Sequence, residues 1–227
     1  MTRIPAALLT LWSVLLCLSC EQQTWESAMA AGQRALQKGD YSEAERIFAV
    51  AVKKAENQYG VRDRHVAVAL SNEAQAFVAQ GKYAEAEPAY LQALKIYQDA
   101  HGENHVDVAA ALNNLGVLHR MHGQYSQAEP LLTRALEIKE RLHGPDHPDV
   151  ALTAHNLGLL YVAQGFPEKA EPLYRRVLAI REKALGETHR DVEKSLDDLV
   201  GLLKKLHREA DAAPFEARLS AIKQRRS

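Results

Sequence analysis

The chain has 227 residues, 47% hydrophobic and 25% charged, with a formal net charge of -1. That balance excludes the polar, highly charged composition of a disordered chain and supplies enough apolar mass for a core. It also gives no electrostatic case for a nucleic-acid partner, because the local basic cluster from Lys204 to Arg226 reads as a solvated helix face and tail.

The first element in chain order is an apolar run. Arg3 supplies a positive charge, and Ile4 to Leu18 is almost wholly apolar before the run stops at Ser19, Cys20 and Glu21. Fifteen helical residues rise only about 22 Å, short of a hydrocarbon core about 30 Å thick. The expectation is therefore an export signal over residues 1–19, cleaved in the mature protein. The two cysteines are Cys17 and Cys20, so the body beyond them has no disulfide or thiol chemistry, which suits an oxidising compartment.

From residue 25 onward the chain repeats itself. Gly39, Gly81, Gly123 and Gly165 are spaced 42 residues apart, and so are Ala44, Ala86, Ala128 and Ala170. A period of this size indicates a stacked repeat array. Within each unit the apolar spacing is helical: Val108, Leu112, Leu115 and Leu118 share one face, and after Gly123 so do Ala128, Leu132, Ala135 and Leu136. Each repeat is thus predicted to be a helix pair, and the lack of alternating β-branched runs excludes a propeller.

The breaks have physical causes. Gly102, Gly144 and Gly186 follow the second helix and are predicted to close it in the left-handed conformation. His105, His147 and His189 precede the next helix, and Asp107, Asp149 and Asp191 fall in its first turn, where a negative charge complements the helix dipole. Pro148 fits the first helical position, and Pro88, Pro130 and Pro172 lie close enough to a helix start to cost little. The small Ala86, Ala128 and Ala170 are expected to let the second helix approach the first.

Two resemblances follow from these residues. Cys17-Leu18-Ser19-Cys20 resembles the lipobox of bacterial lipoproteins, with Cys20 at the acylated position, although Cys17 stands where that family usually has Leu. It implies residues 20–24 as a lipid-anchored tether, attachment to the membrane through that lipid, and, with Glu21 rather than Asp next, an outer-membrane lipoprotein facing the periplasm. Ordinary cleavage giving a soluble periplasmic product is the alternative. The tether would span under roughly 20 Å.

Leu157-Gly158, Tyr161, Ala170, Tyr174 and Val177, matched by Leu115, Gly116, Ala128, Leu132 and Ala135, resemble the tetratricopeptide repeat. The eight residues beyond the usual 34, with His147-Pro148-Asp149-Val150-Ala151 and Asn113-Asn114-Leu115, resemble the kinesin light chain type. This implies an all-α, right-handed superhelix (α-solenoid) of about five helix pairs. The units run over residues 25–58, 67–101, 109–143 and 151–184. A degenerate fifth or C-terminal cap at 193–224 has Val200 and His207 in place of two glycines, with Lys204, Lys205, Glu209 and Arg218 suited to a solvated face.

The resemblance also points to a binding face. In this family the first helices line a concave surface, and Asn72, Asn114 and Asn156, succeeded by Asp198, form a row where an amide can donate to and accept from a peptide backbone. Gln75, Asn113, Arg120 and His155 lie on or near it. The alternative is that these groups hydrogen-bond the adjacent repeat. An extended segment with apolar side chains, or a partner helix, is the expected ligand.

Ten histidines, including His101 with His105, His143 with His147, and His119 with His122, read as repeated capping and packing groups rather than metal ligands. The repeated Glu45, Glu87, Glu129 and Glu171 read as helix-dipole partners. With no phosphate loop, nucleophile elbow or zinc motif, the chain is expected to be a non-catalytic scaffold or adaptor without cofactor. A regulatory or chaperone subunit of an envelope enzyme or export complex is the alternative.

Overall fold

The computed structural model describes residues 24–224. Among these are ten α-helices and no strand: α1 Trp25–Lys38, α2 Tyr41–Tyr59, α3 Arg64–Ala79, α4 Tyr83–His101, α5 Val106–Met121, α6 Tyr125–His143, α7 Pro148–Gln164, α8 Pro167–Leu185, α9 Arg190–Lys205 and α10 Glu209–Gln224. They form five successive helix pairs, an α-solenoid architecture. The chain divides into two compact units, one ending at Ile96 and one beginning at Tyr97, so the boundary falls within α4. The expectations placed on the signal segment and Cys20 lie outside the described residues.

Side chains start the first helix of each pair. Thr24 Oγ1 accepts from the Ser27 amide at 3.2 Å, and Asp63 Oδ1 accepts from the His65 amide at 2.8 Å. In the later repeats His105, His147 and His189 take this place, each Nδ1 accepting from the amide two residues on at 3.2, 3.2 and 3.1 Å. A bare imidazole nitrogen serves here as a Ser or Asp oxygen would, satisfying a donor that the helix leaves orphaned. Pro148 sits in the first turn of α7, where its missing amide costs nothing.

The glycines divide into two kinds. Gly165, closing α7, has φ 83° and ψ 23°, the left-handed helical conformation. Gly144 and Gly186, closing α6 and α8, also have positive φ, but with ψ 161° and 155°. The left-handed stop expected at these two is therefore an extended, glycine-only conformation that directs the chain away from the helix end. His207 holds the corresponding turn of the last pair at φ 56°, the one positive-φ residue other than glycine among those described.

In unit 1, α1 packs on α2 and α2 on α3. Phe48 lies fully buried with Ala35, Ala44 and Ala76, while Ala28, Ala51 and Ala69 form a second cluster beneath Trp25 and Val52. In unit 2 each helix from α5 to α10 packs on the next, and α5 also touches α7. The core there runs from Ala128, Leu132 and Leu160 to Leu196, Leu199 and Ile222.

Close approach within a pair rests on one small residue facing one large one. A Cβ added at Gly32 would lie 2.5 Å from Phe48, at Gly116 2.6 Å from Leu132, and at Gly158 2.4 Å from Tyr174. Ala44, Ala86, Ala128 and Ala170 are fully buried, as close packing of the second helix requires.

Candidate partner-binding face

The amide row is tied into the array by hydrogen bonds between successive repeats. Asn156 Nδ2 donates to Asn113 Oδ1 at 2.9 Å, joining α7 to α5. Forty-three residues likewise separate His155 from Asp198, and His155 Nε2 meets Asp198 Oδ2 at 2.9 Å, joining α7 to α9. In unit 1, Asn72 Oδ1 accepts from Gln33 Nε2, and Asn72 Nδ2 donates to the Val68 carbonyl at 2.8 Å. In the third and fourth repeats the position before the row thus bonds the row in the next, and in the first pair Gln33, one turn further along, takes over because Met29 stands at that position.

These bonds leave specific groups unspent. Asn113 and His155 are buried, whereas Asn156 is half-buried and keeps its Oδ1 as an acceptor. Asn114 is half-buried and Gln75 exposed, and neither side chain makes a hydrogen bond among the described residues. Arg120 Nε is buried without a partner. The predicted residues therefore separate into an interlocked set, Asn72, Asn113, His155 and Asn156, and an unengaged set, Gln75, Asn114 and the Arg120 Nε.

Beside the His155–Asp198 pair lies a cavity of about 340 Å³ between α7, α8 and α9. Leu159, Val162, Leu202 and the Tyr174 ring make its apolar walls, and Asp197, Asp198 and Lys205 its polar rim. Gly201 also lines it, one position after the register of Gly116 and Gly158, and a Cβ built there meets nothing within 4 Å. Tyr174 stacks on His155 with centroids 5.6 Å apart. Burial, and then the neighbouring Asp198 carboxylate, push the Tyr174 hydroxyl well above the ordinary tyrosine range, so it stays a neutral donor. The cavity escapes a sequence search because it needs Gly201 where Leu159 and Val117 stand in the preceding repeats.

The repeated glutamates also act between repeats. Glu45 accepts from Gln80 Nε2 and Lys82 Nζ, each at 2.7 Å, and the lysine bond holds its carboxyl below the usual range. Glu129 accepts from the Tyr161 hydroxyl at 3.1 Å and Gln164 Nε2 at 3.3 Å, and Glu171 pairs with Arg208. The dipole role expected of this row is thus joined by a second: Glu45, Glu129 and Glu171 each clip their helix to the end of the first helix in the following repeat. Arg218, expected to solvate the last repeat, donates instead to Glu182.

The tetratricopeptide repeat family model matches residues 65–141, 127–183 and 149–225. The chain belongs to the tetratricopeptide repeat family. No curated protein sequence matches it significantly. Among solved structures, BtubC (BKLC) from P. vanneervenii is 25% identical with a TM-score of 0.75, the match covering 88% of this chain and 79% of that one. A Podosopora anserina protein described as a kinesin light chain with nearly identical TPR-like repeats is 22% identical, with a TM-score of 0.74 over 89% and 96% of the two chains. A Rap protein complexed with Competence and Sporulation Factor is 17% identical, with a TM-score of 0.72 over 87% of this chain and 53% of that one.

Proposed function

We propose that this tetratricopeptide repeat protein is a non-catalytic scaffold of the cell envelope, exported by its N-terminal segment, anchored through lipid at Cys20, and holding an extended partner segment on the first helices of its repeats. The observation that carries the binding role is the cavity at Gly201, an apolar recess rimmed by Asp197, Asp198 and Lys205 beside the His155–Asp198 pair. An apolar side chain of the partner would enter between Leu159, Val162 and Leu202. Asn114 and the Asn156 Oδ1 would pair with its backbone, since an extended peptide offers donors and acceptors in alternation. The Rap protein, a structural neighbour with a factor in complex, supports the reading that such a helix array holds a peptide. Export and anchoring rest on the apolar run and on Cys20.

The test is crosslinked capture from intact envelopes with wild type, Gly201→Leu and Cys20→Ser. Leucine at 201 fills open space without disturbing the packed core and should remove the partner. Serine at 20 should abolish incorporation of labelled fatty acid and release the protein from the membrane. An identical partner set from all three, with no fatty-acid label in wild type, overturns both halves of the proposal.

A further inference from the structure

The turn between α4 and α5 gathers two imidazoles and a carboxylate that the binding face does not use. His101 ends α4, His105 caps α5 and Asp107 lies in its first turn; one ligand atom from each falls within 4.8 Å of the other two. His101 Nε2 is 3.6 Å and His105 Nδ1 3.5 Å from the same oxygen, Asp107 Oδ2. Zinc bound to nitrogen and carboxylate oxygen at about 2.0–2.2 Å in a tetrahedron separates its ligands by roughly 3.3–3.6 Å, the spacing that both imidazoles already hold from the carboxylate oxygen.

We infer that His101, His105 and Asp107 form a site for a borderline divalent cation of the zinc class, with the remaining coordination position open to solvent. Imidazole and carboxylate donors select this class over calcium or magnesium, which prefer oxygen alone. The turn is held in advance, because Asn104 between the two histidines accepts from Arg134 at 2.9 Å and Arg141 at 3.1 Å on α6. The two rings are stacked at 4.0 Å, so closing on an ion turns them out of the stack, which their partial exposure permits. The ion also displaces the 3.2 Å cap bond from the Asp107 amide, since both need the His105 Nδ1 lone pair. Metal binding therefore replaces a neutral cap with a bond from the last turn of one helix to the first turn of the next.

The other repeats supply comparisons within one chain. His143, His147 and Asp149 repeat the arrangement more loosely, with Asp149 Oδ2 at 3.9 and 3.7 Å from the two imidazoles. In the following repeat Leu185 stands where the first histidine would be, leaving only His189 and Asp191. His101→Leu thus copies a turn this chain already folds, and His105→Asn keeps a competent helix cap while removing the ligand.

The experiment is titration of the full chain, made without a histidine tag, using Co2+ as the optical probe of tetrahedral coordination and Zn2+ in calorimetry and thermal melts. Wild type should develop cobalt ligand-field bands that zinc abolishes, and zinc should raise its melting temperature. His101→Leu and His105→Asn should each weaken the first equivalent by about tenfold or more, while His143→Leu leaves it unchanged. Absence of cobalt bands in wild type, or equal zinc affinity in wild type and either first-site variant, overturns the inference.

Discussion

Asn156 and Asn113 share one hydrogen bond between half-buried α7 and buried α5 positions, with the Nδ2 of one 2.9 Å from the Oδ1 of the other. Removing Asn113 strands a donor in a partly dehydrated setting, whereas removing its neighbour Asn114 breaks no bond. Asn113→Ala should therefore cost about 1–2 kcal/mol. Asn114→Ala should stay within about 0.5 kcal/mol of wild type while weakening partner capture. Urea unfolding beside a capture assay checks this, and equal stability losses in the two variants would refute it.

The glycines of the first helices should respond in opposite directions. Gly158→Ala drives a methyl into the Tyr174 ring, which is itself packed in the core, and the overpacking cost of about 1–3 kcal/mol outweighs a helix-propensity gain of about 1 kcal/mol. Gly116→Ala should also destabilise, because its methyl meets Cγ of the fully buried Leu132 at 2.6 Å and the Ala128 carbonyl oxygen at 3.4 Å, though a leucine is smaller to displace than the Tyr174 ring. Gly201→Ala meets no neighbour and should stabilise the protein by about 0.5–1 kcal/mol. Urea midpoints for the three variants, ordered other than 158 lowest and 201 highest, would contradict the packing described.

Glu73 stands at the register where later repeats place the buried leucines Leu115, Leu157 and Leu199. Burial, with the Glu45 and Glu56 carboxylates adding to it, raises its pKa above the ordinary glutamate value of 4.5. The folded state then holds its proton more tightly than the unfolded chain, so stability from this group falls as pH rises from about 4.5 through the raised folded value. Glu73→Gln should remove that loss, making the variant more stable than wild type at pH 7 but not at pH 4. Thermal melts across this range check it; an advantage that is the same at both values would point to packing rather than ionisation.

The helix pairs were legible because steric demands recur with the period. Gly116 and Gly158 must be small in every copy that places Leu132 or Tyr174 opposite them, and Ala128 must be small for the same reason. The polar clips were not legible, because Glu129 finds Gln164 and Arg208 finds Glu171 through rotamers chosen across repeats rather than along one helix. The amide row was visible as spacing, yet spacing alone does not tell Asn114, which is unengaged, from Asn113, which is bonded. Gly144 was recognisable as a turn, but its extended ψ depends on where the following helix begins. The His101 set was visible as residues, and only the distances to Asp107 Oδ2 distinguish it from repeated capping.

The glutamate clips reach one repeat ahead and no further: Glu45 to Gln80, Glu129 to Gln164, Glu171 to Arg208. Unfolding one pair therefore strips partners from its immediate neighbours alone, and cooperativity travels along the chain as in a zipper. Within unit 2 the pair α7 and α8 is held from both sides, while α10 has no successor among the described residues. Amide exchange should follow that gradient, slow at the centre and fast at the last helix, even though all three pairs share the same fold.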